Sequence, residues 1–133
     1  KKVKSVLPAR VSSWSWPVKG RILSRFKSSD TARKGIVIAG NRGQSVKASA
    51  AGKVVYSGNG LISYGNLIII KHSNTFLSAY AYNRKLLVKE GELVAKGQVI
   101  AQMGSADKGR SQLHFEIRKN GKPVNPMRYL PKI

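Results

Sequence analysis

The feature that leaves fewest folds open to this chain is a succession of short β-branched runs separated by glycine turns: GRILSRF, KGIVIAG, GKVVYSG, GNLIIIKH, FLSAYAY, GQVIAQMG and LHFEIRKNGKPV. Each run is strand-sized. No convincing amphipathic helix lies between them, so the pattern predicts an antiparallel all-β domain. In SQLHFEIR, residues 111 to 118, Leu113, Phe115 and Ile117 alternate with Gln112, His114, Glu116 and Arg118. Period two sends the apolar set to one face of a strand and the polar set to the other. Asn120-Gly121 just beyond predicts a hairpin, because both residues tolerate positive φ.

A chain of 133 residues is the size of one domain with one core. Residues 1 to 13 carry Lys1, Lys2, Lys4 and Arg10 with no sustained apolar period, so they read as a basic linker, with the folded domain at 14 to 133. The start, KKVKS, lacks a methionine or a signal peptide's apolar region and reads as cut from a longer precursor. No apolar run approaches the length of a membrane span; the longest, LIII at 67 to 70, is strand-sized.

Charge narrows the partners. Lys and Arg total 25 against 5 Asp and Glu, a formal +20, so the surface attracts polyanions at long range. Nucleic acid, anionic cell-wall polymer, an anionic membrane and an acidic protein all satisfy that condition. Nucleic acid would need stacking platforms such as Tyr64, Tyr80, Tyr82 and Phe115, yet no RNP-type motif, helix-turn-helix pattern or zinc finger accompanies them. No specific nucleic-acid partner is therefore expected.

Few side chains could carry catalysis. There is no cysteine and no GxSxG elbow, and the carboxylates Asp30, Glu90, Glu92, Asp107 and Glu116 are scattered. Zinc hydrolysis needs about three protein ligands and an open position, and the chain has two histidines, His72 and His114. His72, at a strand end beside Ser73-Asn74, reads as structural. His114 taken alone reads as a hydrogen-bonded sheet histidine. VKEGELVAKGQVIAQMG, at 88 to 104, has the glycine-spaced hairpins of a biotinyl or lipoyl carrier domain, but no modifiable lysine stands at a hairpin tip between matching flanks.

Taken in order, WPVKGRILSRF, RKGIVIAGNRGQSVKASAAGKVVYSGNG, YGNLIIIKH, YAYN, VKEGELVAKGQVIAQMGS and LHFEIRKNGKPVNPMRYL resemble the LytM or lysostaphin-type zinc endopeptidases, over nearly everything from Trp16 to Leu130. The fold this implies is an antiparallel sheet with a small β-hairpin subdomain. Active members carry H-x-G-x-D, whose His and Asp bind zinc; the matching positions here are Arg33 and Val37. A guanidinium has no free lone pair and an isopropyl group no donor atom. In the family's H-x-H strand a catalytic histidine precedes the third ligand, and here the pair reads Gln112 and His114. The catalytic histidine closing a Y-A-H motif is replaced by Tyr82. The resemblance thus implies a degenerate member, not an enzyme, with ligand positions Arg33, Val37 and His114, no metal and no cofactor.

Within that family the chain is most similar to the EnvC and NlpD group of bacterial division factors. That likeness implies an activator of periplasmic N-acetylmuramoyl-L-alanine amidases, carried on an outer-membrane lipoprotein and acting at peptidoglycan. The former substrate groove would bind the amidase's regulatory helix, and Arg33, Lys34, Tyr64, Tyr80, Tyr82, Gln112, His114, Glu116 and Arg118 are expected in or around it. Tyr80 and Tyr82 have a second reading, facing the core with Ala79 and Ala81 outward. A weakly active metallopeptidase and a peptidoglycan- or polyanion-binding module are the alternatives in other classes.

Overall fold

The protein is described as a computed structural model over residues 11–105 and 109–132. Lys1, Lys2, Lys4, Arg10 and Asp107 lie outside the described residues. Among the described residues ten strands form: β1 (Ile22–Ser24), β2 (Ile36–Ala39), β3 (Ser45–Lys47), β4 (Gly52–Gly58), β5 (Asn66–Lys71), β6 (Phe76–Leu86), β7 (Leu93–Val94), β8 (Val99–Met103), β9 (Gln112–Lys119) and β10 (Lys122–Val124). All ladders are antiparallel, and the main path runs β1-β2-β9-β6-β5-β4-β7. The smaller unit expected beside it is the β3–β8 ladder, built from strands distant in sequence and still hydrogen-bonded to the main sheet through β6.

Alternation decides which face each strand buries. Leu113, Phe115 and Ile117 of β9, Ile36 and Ile38 of β2, and Ile68 and Ile70 of β5 are fully buried in one cluster with Val46 of β3 and Ile100 of β8. One core therefore lies between the main sheet and the β3–β8 ladder. Burying a Val, Leu, Ile or Phe side chain contributes roughly 1.5–3 kcal/mol, so this cluster dominates the driving force. Both ends of the domain join it: Trp14 meets Phe76 and Tyr129 edge to face at 5.6 and 6.1 Å, and Val11 packs alongside. Packed chain thus begins at least three residues before the expected start at Trp14.

The β9–β10 hairpin forms where Asn120-Gly121 predicts it, with φ of 52° and 80° and Lys119 opposite Lys122. Beside the middle of β9, Gly35 sits so close that an added Cβ would meet Phe115 O at 2.2 Å. Only glycine lets the 25–34 loop enter β2 there. That loop is fastened by Arg33 N–H on Asp30 O (2.9 Å) and Lys27 N–H on Arg33 O (3.1 Å), and it stands over the polar face of β9.

Candidate functional site

On the face of the sheet away from the main core, a cleft of about 410 Å³ is lined by Lys34, Val37, Tyr64, Tyr82, Gln112 and His114, with Glu116 at its end. Three local devices deliver Tyr64, Tyr82 and the β9 side chains, while Lys34 and Val37 arrive at the start of β2. The β4–β5 connection carries Tyr64 on a 3-10 turn, Ile62–Tyr64, which Gly65 ends at φ 59°. Tyr56 Oη accepts the Gly60 N–H at 2.8 Å and pins the loop.

The second device is a bulge in β6. Ile68 pairs with Tyr80 but Asn66 pairs with Asn83, so one extra residue stands in β6, and Tyr82 takes φ 70°. A positive φ is costly for a bulky residue, of order 1–3 kcal/mol. Asn83 holds it by donating from Nδ2 to Asn66 O (3.0 Å) and Tyr80 O (2.9 Å). Strict alternation would send Tyr82 to the core with Tyr80; the bulge turns it outward, where its ring centroid lies 6.1 Å from that of His114.

The third device is β9 itself, which places Gln112, His114, Glu116 and Arg118 on one face. Glu116 is the hub. Its Oε2 accepts from Tyr64 Oη at 3.0 Å and from His114 Nε2 at 2.8 Å, and its Oε1 accepts from Arg118 Nε at 2.8 Å. Only 1% of the side chain is exposed, and burial alone would raise its carboxyl. Hydrogen bonds from His114 and Arg118, with the guanidinium charge, outweigh burial and hold it below the usual carboxylate range. Burial first, and then the Glu116 carboxylate, push the Tyr64 hydroxyl up. An ionised carboxylate only accepts, so His114 Nε2 must carry a hydrogen. That nitrogen is committed inside the chain.

Several sequence expectations change. Tyr80 is fully buried and does not line the cleft; its ring packs on Phe115 at 5.3 Å and its oxygen accepts from Ser49 N–H at 2.9 Å. The outward-Ala79, inward-Tyr80 reading is the one realised, but Tyr82 departs from it through the bulge. Arg33 does not reach the cleft wall either: its Nε donates to Arg25 O at 2.9 Å, tying the loop to itself. Arg118 points away from the polar cleft and lines a neighbouring apolar cavity. Tyr80 and Phe115 are both fully buried and offer no stacking face to a nucleic acid. Thr31, Ala32 and Ser63, unmarked by sequence reasoning, also line the cleft; their turns flank Arg33 and Tyr64 but carry no chemical signature.

Residues 31–126 match Peptidase family M23. The chain belongs to that family. The lipoprotein NlpD/LppB homolog of Pseudomonas aeruginosa is 54% identical over 92% of this chain and 41% of its own length. The murein hydrolase activator NlpD of Escherichia coli is 53% identical over 92% of this chain and 32% of its own length. The M23 chain thus spans less than half of the curated relatives it matches. Among solved structures, a zinc-containing peptidase from Vibrio cholerae superposes with a TM-score of 0.80 at 30% identity, covering 91% of this chain and 41% of that one.

Zinc does not fit the residues present. Val37 lies directly across the ladder from His114 and turns a hydrocarbon toward it. Arg33 offers only N–H donors, so of these three side chains only the His114 imidazole could ligate a metal. Among the described residues, no group of three His, Cys, Asp or Glu side chains could hold a metal ion.

Proposed function

We propose that this domain activates a murein hydrolase, a periplasmic N-acetylmuramoyl-L-alanine amidase, and cleaves no bond itself. The observation that carries the reading is a cleft kept open while Val37 lines it with hydrocarbon and no group of three metal donors stands among the described residues. The name of the Escherichia coli relative, a murein hydrolase activator, supports the same reading. The cleft would take the amidase's regulatory helix, with Lys34, Tyr64, Tyr82 and Gln112 as contacts, and so draw it off the amidase's own site. Activation then needs only tighter binding to the open amidase than to the closed one. Lipoprotein relatives support a lipid-anchored parent at the periplasmic face of the envelope, next to peptidoglycan, and the +20 charge favours encounter with anionic wall polymer.

The test adds purified domain to purified periplasmic amidases with dye-labelled sacculi. Dye release is expected only with both proteins present, and Tyr64→Ala should abolish it. Release by the domain alone, stopped by a chelator, would overturn the activator reading in favour of a metallopeptidase.

A further inference from the structure

The ladder registers arrange the outer face of the main sheet in rows. Val37, His114 and Ala81 lie side by side in the first. Glu116, Ala79, Ile69 and Tyr56 form the second. Arg118, Leu77, Lys71 and Lys53 form the third. The first row holds the altered ligand positions, the second is mostly apolar, and the third ends in two adjacent cations.

Around the second row opens a cavity of about 240 Å³, walled by Leu61, Leu67, Ile69, Leu77 and Ala79 and sharing Tyr64 and Glu116 with the polar cleft. It has room for a large apolar side chain. At its rim, Leu61 before the 3-10 turn is 45% exposed and Ile62 within it 95%, which sets exposed apolar surface beside the cavity. Lys53 and Lys71 stand directly opposite each other on neighbouring strands. Among the described residues, ion pairs are confined to Glu116 with His114 and Arg118, so neither lysine has an acidic partner. Like charges in this arrangement repel, and an anionic group seated over both relieves the repulsion.

The form of the ligand follows from the sheet. β5, β6 and β9 are each paired on both sides, so their backbone groups are spent and strand addition has no edge here. Recognition must run through side chains. Successive rows are two residues apart along a strand, about 6.7 Å, close to the ~6 Å rise between positions i and i+4 of a helix. A helix about 10 Å across covers two strands spaced about 4.8 Å.

We propose that this face docks an amphipathic acidic helix of the protein partner, with an apolar residue in the Leu61–Leu77 cavity and an acidic residue one turn on between Lys53 and Lys71. The proposal rests on the activator reading and extends its contact surface beyond the polar cleft, past Tyr64.

The experiment measures amidase affinity and activation for the full chain at fixed physiological salt. Lys53→Glu with Lys71→Glu, and separately Leu61→Glu, should each weaken binding at least tenfold with thermal unfolding unchanged. Lys85→Glu with Lys89→Glu, the same charge change on exposed positions elsewhere, should stay within twofold. A scan of acidic-to-lysine substitutions along the amidase's helices should yield one that restores binding to the Lys53/Lys71 reversal. If the parent activates but the three variants bind alike, the docking face is wrong and the activator reading stands. Equal losses from both charge reversals would reduce the effect to bulk charge and overturn the proposal. Selective loss of binding to phosphatidylglycerol vesicles, with amidase affinity intact, would overturn it in favour of a lipid surface. A parent that binds no amidase sinks the activator reading and this proposal together.

Discussion

The two histidines of this chain sit on opposite faces of one sheet and do opposite things. His72, fully buried, lies between Ala51 O, 2.8 Å from Nδ1, and Ser78 Oγ, 2.7 Å from Nε2, with the Trp14 indole edge to face at 5.0 Å. Its partners are neutral. Burial lowers its pKa to about 4, against a smaller opposing effect of the Ala51 carbonyl. The ring is therefore neutral, with Nδ1–H donating to Ala51 O and Nε2 accepting from Ser78. Hydroxyls rotate to suit, so Tyr80, 2.7 Å from Ser78 Oγ, completes the chain by donating to Ser78 while it accepts from Ser49 N–H. His114 instead serves a buried carboxylate shared with a guanidinium and a phenol. A histidine at or in a strand is thus a structural linker or part of a charged site according to which side of the sheet it faces.

Removing the charged hub should break the comparison most severely. Glu116→Leu strands His114 N–H and Arg118 together, and losing one member of a buried ionic network costs about 3–5 kcal/mol. Arg118 is 28% exposed and can turn to water, so a loss of about 3 kcal/mol in urea unfolding is expected. A loss below ~1 kcal/mol would mean the network is only decorative.

Acid should separate the two sites by pH window. Below pH 6.5 the unfolded chain protonates His72 while the folded protein resists until about pH 4. Stability contributed there is complete above pH 6.5 and falls toward pH 4 at ~1.4 kcal/mol per unit, roughly 3 kcal/mol in all. His72→Gln should flatten that slope. Glu116, held below its ordinary 4.5, contributes above that value and loses its contribution only as pH falls further, so the slope due to His72 should persist in Glu116→Leu. An unaltered slope in His72→Gln would contradict the buried neutral ring.

The tyrosines sharpen the same contrast with smaller effects. Tyr80→Phe leaves Ser49 N–H and the Ser78 hydroxyl short of a partner and should cost about 1–3 kcal/mol of stability without changing hydrolase activation. Tyr64→Phe removes one donor from Glu116 at a half-exposed position, worth about 1 kcal/mol, while Tyr64→Ala should remove activation. Reversal of these two outcomes would exchange the roles assigned to core and cleft. The smallest expected effect is none at all: dialysis against zinc followed by elemental analysis should give no stoichiometric metal, and one zinc per chain lost on His114→Ala would reopen the metallopeptidase reading.

Strand alternation and turn chemistry are local properties, and the sequence determined what depends on them: the all-β class, the apolar and polar faces of β9 and the Asn120-Gly121 hairpin; it also determined that the Arg33 and Val37 side chains offer no lone pair to a metal. Residue type alone settles whether a side chain can ligate a metal. Only tertiary structure decided where Tyr80 and Tyr82 point, because one bulged residue in β6 turns Tyr82 out of the period that Tyr80 obeys. It also decided that Glu116, one carboxylate among several in the sequence, becomes the hub of the site. Tyr64, 52 residues away in sequence, meets Glu116 only because the 3-10 turn before β5 folds over β9's outer face, and no local pattern encodes a contact between segments brought together by the sheet.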